Sequence, residues 1–250
     1  MLHETQNSTL GPKQLTTQPY AVGSSVIGIK YKDGVLIASD KRINVYGHRK
    51  YNNVTRIAPI NKYTIMGSSG EYSDFQELNR LLVEKAQEDE LYDGVNSFLG
   101  PEEFSSYLSH INYQQRNKMN PYWSSTIIGG WDKRTNEPFL NSVDQFGTKL
   151  ENSFLFTGFA QYFAGPIFES MYPKFWDEID RAGAKKIADQ VFKVLFYRDA
   201  SAGDRIYYGY LQKGEGEDNF SFELLEDKLE TNWEYKKFVE HHNEKFHPTA

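Results

Sequence analysis

The sequence has no cysteine, no long hydrophobic run and no excess of basic residues, and each absence excludes a class of function. Without cysteine the chain forms neither a disulfide framework nor a thiolate zinc site, which favours a reducing compartment, the cytosol or the nucleus. No apolar run approaches the ~20 residues of a membrane span, and the polar start MLHETQNSTLGPKQL lacks the apolar centre of a signal peptide. A formal charge of −6 gives no reason to expect nucleic acid or an anionic membrane as partner.

Three histidines near the end of the chain are the one cluster that suggests a metal site. His241 and His242 are adjacent and His247 is close by, but no cysteine or suitably spaced carboxylate completes a familiar set of ligands. The surrounding segment KFVEHHNEKFHPTA is highly polar, which favours an exposed tail. We therefore predict no metal and no cofactor.

The length of 250 residues and the 39% hydrophobic content suit one domain with a sizeable core. Residues 1–22 have little apolar periodicity and predict an extended or disordered leader, with the fold beginning after it. Four strands are then predicted before any helix. The first pair is SVIGIKY (25–31) and VLIASD (35–40), joined by a hairpin turn at Asp33-Gly34, and the second is VTRIAPI (54–60) and YTIMGSS (63–69).

Helical periodicity begins after these strands. Ser73 can cap a first helix with Gln76 three residues later, and Pro101 suits the first turn of a second helix that runs to about Lys118. Two strands, WSSTIIGGW (123–131) and PFLNSVD (138–144), precede a helix-rich stretch over about 160–198, and strands IYYGYL (206–211) and FSFELLE (220–226) close the core. This order predicts an α+β fold, a four-layer αββα sandwich with two antiparallel sheets between helix layers.

Four stretches of the sequence carry a family resemblance. They are GSSVIGIKYKDGVLIASD (23–40), MGSSGEYSDF (66–75), YQQRNKMNPYW (113–123) and YRDASAG (197–203). In this order they resemble the beta subunits of the 20S proteasome, which have the N-terminal nucleophile (Ntn) hydrolase fold, and the resemblance runs from about Thr16 to the C-terminal region. The leader TTQPYAVGSS, the stretch MNPYW and the late ETNW are most similar to a non-catalytic branch of that family.

The resemblance implies the boundaries of the mature chain. Residues 1–15 correspond to a propeptide that is removed, with cleavage near Thr16; residues 16–233 correspond to a single beta-type domain, and residues 234–250 to a polar C-terminal arm that clasps neighbouring subunits. Localisation in cytoplasm and nucleus is implied in the same way.

Active family members hydrolyse peptides with an N-terminal threonine whose freed α-amine is the base. Their site maps by resemblance onto seven positions of this chain: Ser24, Asp40, Arg56, Gly70, Thr157, Asp199 and Ala202. Ser24 takes the place of the nucleophile and Gly70 that of the oxyanion-hole glycine. Arg56 stands where active members have lysine, and Thr157 and Ala202 stand where they have serine.

Three departures favour a catalytically silent subunit. The guanidinium of Arg56 is bulkier than an ammonium and is effectively never deprotonated. Ala202 has no hydroxyl for the supporting hydrogen bonds, and an internal Ser24 has no amine base. Asp40 and Asp199 are then structural carboxylates that bind backbone donors or Arg56. One alternative is a self-processing peptidase subunit using Ser24, and another is a free binding module that would be a stable monomer.

The silent-subunit interpretation also implies partners. These are other proteasome beta subunits in the same ring and in the opposite ring, and alpha-ring subunits. Polypeptide substrates are reached only through neighbouring catalytic subunits. The work of this chain is then assembly and formation of the chamber wall.

Overall fold

A computed structural model describes residues 18–93, 99–216 and 219–232 of the chain. The predicted leader and the C-terminal arm with its three histidines lie outside these residues, apart from 18–22. In chain order the elements are β1 (Ala21–Gly23), β2 (Val26–Tyr31), β3 (Gly34–Asp40), β4 (Ile43–Val45), β5 (His48–Tyr51), β6 (Ile57–Asn61), β7 (Thr64–Glu71), α1 (Tyr72–Asp93), α2 (Pro101–Asn117), β8 (Ser124–Asp132), β9 (Glu137–Val143), β10 (Lys149–Glu151), β11 (Phe154–Thr157), α3 (Ala160–Met171), α4 (Arg181–Arg198), β12 (Arg205–Lys213) and β13 (Phe220–Lys228).

The strands form two antiparallel sheets. Sheet A has eight strands in the order β10-β9-β8-β7-β1-β4-β5, with β6 also paired to β7; sheet B has five in the order β11-β2-β3-β12-β13. β6 and β1 share one edge of β7, because β6 pairs with its first residues and β1 with its last two. The two antiparallel sheets expected for the Ntn-hydrolase fold are therefore present.

Three apolar clusters hold the layers together. The buried side chains between the two sheets include Val26 and Ile37 from sheet B and Ile65, Ile127 and Leu140 from sheet A. α1 and α2 cover the outer face of sheet A, and α3 and α4 cover the outer face of sheet B. Helices therefore lie outside each of the two stacked sheets, and the predicted αββα order is confirmed. Apolar burial of this kind is the main driving force that keeps such layers stacked.

The early hairpin is present, but its turn differs from the prediction by one residue. Tyr31 pairs with Gly34, so the loop is Lys32-Asp33 and Gly34 is the first residue of β3. A Cβ atom at Gly34 would collide with the carbonyl oxygen of Leu211 on β12. The glycine therefore permits close approach of two strands and does not make the turn.

The prediction of four strands before the first helix is wrong, because seven strands precede α1. β1, β4 and β5 were missed at this end of the chain. The prediction that the fold begins after residue 22 is also wrong, since β1 starts at Ala21 and pairs on both sides. The later strands β10 and β11 were missed as well.

The helices follow the prediction closely except at one cap. α2 covers the predicted residues, and the helix-rich stretch divides into α3 and α4. α1 begins at Tyr72, so Ser73 lies inside the first turn and its hydroxyl donates to Glu71 Oε1 at 3.1 Å. Ser73 is therefore not the predicted N-cap. Within the described ranges, no helix has the length and apolarity needed to span a membrane.

Candidate functional site

Ser24 lies between β1 and β2, and its hydroxyl points to a carboxylate. Ser24 Oγ donates to Asp199 Oδ2 at 2.5 Å, and the serine is 8% exposed. Asp199 follows the last residue of α4, and its other oxygen accepts from both the backbone N–H (2.8 Å) and the hydroxyl (2.5 Å) of Ser201. The carboxylate thus accepts from two serine hydroxyls and one backbone N–H, so a buried polar group is satisfied.

Arg56 is fully buried directly beneath the start of β2. Nη1 donates to the carbonyls of Ser24 (3.2 Å) and Ser68 (3.0 Å), while Nη2 donates to the carbonyls of Ser25 (3.3 Å) and Asp40 (3.2 Å). Nη2 also forms an ion pair with Asp40 Oδ1. A planar guanidinium with a fork of donors can satisfy this many oxygens at once, and a lysine ammonium with three donors cannot.

The second oxygen of Asp40 accepts from the backbone N–H of Gly203 at 2.9 Å. Burial raises the pKa of the Asp40 carboxyl, and the Arg56 guanidinium and the Gly203 N–H oppose that shift. Burial likewise lowers the pKa of Arg56, and Asp40 opposes it. Each group therefore depends on the other to remain charged in a fully buried site.

The chain upstream of Ser24 is part of sheet A. In β1, Gly23 pairs with Ile43 on one side and with Gly70 on the other, and Val22 pairs with Asn44 and Glu71. The Glu71 carboxylate accepts the backbone N–H groups of Tyr20 and Ala21, the latter at 2.9 Å. The strand that leads into Ser24 thus occupies the gap between β4 and β7.

Two glycines of this site, Gly70 and Gly23, lie where a larger residue would not fit. Gly70 has φ +99°, and a Cβ atom there would collide with the carbonyl oxygen of Trp123. A Cβ atom at Gly23 would collide with the Arg56 side chain. The glycine at the oxyanion-hole position is therefore required by the backbone whether or not an oxyanion is ever bound.

The two remaining positions lie next to this group. The Thr157 hydroxyl accepts from Val26 N and donates to Val26 O, both at 3.3 Å, so it joins β11 to β2. Ala202 N–H donates to Asp199 O at 3.1 Å, and the Ala202 methyl group is buried in the core beneath α4. The structure thus brings all seven predicted positions to one end of the sandwich.

A cleft of about 650 Å³ opens in front of Ser24. Aromatic side chains of Tyr20, Tyr46, Phe159 and Tyr162 line it, and Tyr20 and Tyr46 contact each other edge to face at 4.7 Å between ring centroids. Among the residues that the structure describes, no group of three or more His, Asp or Glu side chains is placed to bind a metal ion.

Comparison with known proteins identifies the family. A family model described as "Proteasome subunit" matches residues 20–211. The chain belongs to the proteasome subunit family. The protein "Proteasome subunit beta type-4" of Arabidopsis thaliana is 34% identical over 237 residues, which cover 95% of this chain and 89% of that protein.

Two further proteasome relatives agree with this assignment. "Proteasome subunit beta type-4" of Xenopus laevis is 34% identical over 233 residues, covering 92% of this chain and 91% of the relative. "Proteasome subunit beta type-7" of Saccharomyces cerevisiae is 33% identical over 221 residues, covering 84% and 80%. The resemblance expected from TTQPYAVGSS, MNPYW and ETNW, which is to the beta-7 subunit, also called beta type-4, is confirmed.

Two residues of the proteasome-type site were missed by reasoning from the sequence. Glu71 holds the strand β1, and Ser201 holds Asp199. Ser201 follows Asp199 by two residues, a spacing typical of a local Asx-type turn, and this signal was available in the sequence. Nothing local marks Glu71, since its partners Tyr20 and Ala21 lie about fifty residues away.

Proposed function

We propose that the chain is a non-catalytic structural subunit of the 20S proteasome core. Its place is a seven-membered beta ring that pairs with a second beta ring and is flanked by alpha rings. The observation that carries this proposal is that β1, which ends at Gly23 immediately before Ser24, is paired on both sides and so is an integral strand of sheet A. While this strand is retained, the Ser24 nitrogen is an amide, which cannot serve as the amine base of an N-terminal nucleophile.

The neighbouring groups support the same conclusion. Every Arg56 contact described above is a hydrogen bond to a carbonyl or a carboxylate, so the guanidinium acts as a structural donor and not as a group that exchanges protons. The Ser24 hydroxyl donates to Asp199, and Ala202 brings no hydroxyl to that carboxylate. The residues at the site therefore stabilise the sandwich, and other subunits of the particle hydrolyse peptides.

This function assigns the partners and the location. The chain contacts other proteasome beta subunits in its own ring and in the opposite ring, and subunits of the alpha ring. Polypeptide substrates meet it as part of the chamber wall, next to catalytic neighbours. The complex acts in ATP- and ubiquitin-dependent protein degradation in the cytoplasm and nucleus.

The test uses Ser24→Ala in assembled particles, with Ser25→Ala as the matched control. We expect Ser24→Ala to leave every peptidase activity of the particle unchanged, and the mature chain to begin near Thr16 or Thr17 when its N-terminus is sequenced. Ser25 Oγ accepts from Ala160 N at 2.9 Å, so Ser25→Ala should lower the stability of the chain by about 1–2 kcal/mol without selective loss of activity. A mature chain that begins at Ser24, or the selective loss of one activity in Ser24→Ala, would establish the self-processing peptidase instead.

A further inference from the structure

A second cavity lies at the same end of sheet B, beside the Ser24 site. Its volume is about 660 Å³, and it is bounded by the end of β3, the start of β12 and the end of β13. Four basic side chains line it, which are Lys41, Arg42, Arg205 and Lys228, together with two acidic ones, Asp204 and Glu226. The lining therefore carries an excess of positive charge in a protein whose formal charge is −6.

The two acidic residues of this cavity already have partners. Glu226 binds Lys41 Nζ at 2.5 Å and lies 3.7 Å from Arg205 Nη1. Asp204 lies 3.7 Å from Lys228 Nζ. The local carboxylates are thus engaged with Lys41, Arg205 and Lys228, and none of these ion pairs includes Arg42.

Arg42 is the half-buried cation of this lining. Within the described part of the chain, no carboxylate oxygen lies within 4 Å of its guanidinium, and its buried Nε has no hydrogen-bond partner. Nη1 donates to the carbonyl of Ala202. Burial and the positive charge of Arg49 lower the pKa of Arg42, and the more distant carboxylates of Asp40, Asp204 and Asp199 oppose that shift. A partly desolvated guanidinium with an unused donor is the kind of group that an oxyanion stabilises, because charge-assisted hydrogen bonds to such a group are short and strong.

Arg42 is connected to the Ser24 site through one loop. The loop over residues 199–204 supplies the Ala202 carbonyl to Arg42, the Gly203 N–H to Asp40 and the Asp199 carboxylate to Ser24. An anion bound at Arg42 would therefore fix a loop that the degenerate site also uses.

We propose that this cavity is a binding site for carboxylates carried by an acidic polypeptide segment of a neighbouring subunit. The volume exceeds what a single small anion fills. The excess positive charge of the lining and the unpartnered Nε of Arg42 favour a negatively charged occupant. The identity of the occupant as a neighbouring subunit rests on the proposed function, since only an assembled ring places another chain beside this surface.

The first test measures binding of hexaglutamate to the full-length chain at low salt. Wild type should bind this probe, and Arg42→Gln should bind it about tenfold more weakly because one charge-assisted contact is lost. Arg116→Gln is the matched control, since Arg116 is an exposed residue of α2 and does not line the cavity. Arg205→Gln, at a residue of the lining whose side chain is 57% exposed, gives a second variant that is expected to fold.

The second test measures incorporation of the same variants into particles in cells on native gels. Arg42→Gln should slow incorporation relative to Arg116→Gln. Equal incorporation of the two variants, equal hexaglutamate binding by wild type and Arg42→Gln, or displacement of the peptide by inorganic phosphate at the same ionic strength would overturn the proposal. If the wild-type chain itself does not enter particles, the proposed function fails, while the titration of the isolated chain still decides whether the anion site exists.

Discussion

Replacement of Arg56 by methionine tests whether the buried ion pair is the structural centre of the degenerate site. Arg56 and Asp40 are each 1% exposed, so Arg56→Met leaves the Asp40 carboxylate buried without its cation. Breaking a buried pair in this way costs about 3–5 kcal/mol. Four backbone carbonyls lose their donor at the same time, which adds to the loss. Because domains of this kind are stable by only about 5–15 kcal/mol, the variant should unfold at a much lower urea concentration.

Arg56→Lys is the control that keeps the positive charge. An ammonium can pair with Asp40 but cannot reach all the carbonyls, so we expect a smaller loss of about 1–3 kcal/mol. This variant also restores the residue found in active family members. It should nevertheless gain no peptidase activity, because Ala202 still lacks a hydroxyl.

The pH dependence of Arg56→Met has a definite sign. Burial already raises the pKa of Asp40, and removal of the opposing guanidinium raises it further above its value in the unfolded chain. The folded variant then favours the protonated carboxyl, so its stability falls as the pH rises from about 4, near the unfolded pKa of aspartate, through the folded pKa. The deficit relative to wild type should therefore be smaller at pH 4.5 than at pH 7.

Urea unfolding of the full-length chain, followed by circular dichroism at pH 4.5 and pH 7, measures all of these effects. A loss below about 1 kcal/mol in Arg56→Met at pH 7 would refute the reasoning, because the pair would then contribute too little to matter. Equal losses in the methionine and lysine variants would show that the hydrogen bonds and not the charge are responsible. A deficit that does not shrink in acid would contradict the role assigned to Asp40.

Three further predictions concern the strand before Ser24, the oxyanion-hole glycine and the C-terminal arm. Glu71→Gln should lower the free energy that keeps β1 in sheet A by roughly 1–2 kcal/mol, and limited proteolysis within residues 18–23 should become faster. An unchanged cleavage rate would argue against this anchor. Gly70→Ala should destabilise the chain by more than about 1–2 kcal/mol in thermal unfolding, whereas Gly165→Ala, in α3 with open space around it, should be neutral or stabilising. Deletion of the residues after Trp233 should leave soluble yield near normal, because the described residues already form three extensive apolar clusters and the arm is highly polar, and it should accumulate half-particles. Full pairing at the normal rate would show that the arm is not needed.

Long apolar or strongly periodic segments made most of the fold predictable. β2, β3, β8 and α2 were each found because continuous β-branched runs or a helical apolar stripe mark them. The β4–β5 hairpin was missed because its turn, Tyr46-Gly47, has positive φ at both residues, and tyrosine is not a residue that signals such a turn. The loop between β8 and β9 was recognised, and it does contain an asparagine, Asn136, with positive φ.

The candidate site could likewise be predicted only in part. Its positions came from the family resemblance, but their contacts came only from the structure. No periodicity shows that Arg56 is buried, since charged residues are almost never fully buried unless they are paired. The partner that makes its burial possible, Asp40, lies sixteen residues earlier at the end of β3 in sheet B, whereas Arg56 immediately precedes β6 of sheet A. No pattern in the sequence indicated Arg42, because its surroundings form only where the ends of three strands of sheet B meet.

The three-residue strand β1 also determines how this part of the molecule can open. Among the strands that the structure describes, β4 pairs with β1 and β5 only, so the β4–β5 hairpin is joined to the rest of sheet A through β1. Side chains of Asn44 and Arg49 add contacts from the hairpin to the carbonyls of Ser201 and Ala200. A local fluctuation that releases β1 should therefore expose the amides of all three strands together. These residues should exchange their hydrogens as one cooperative unit, at a free energy below that of global unfolding.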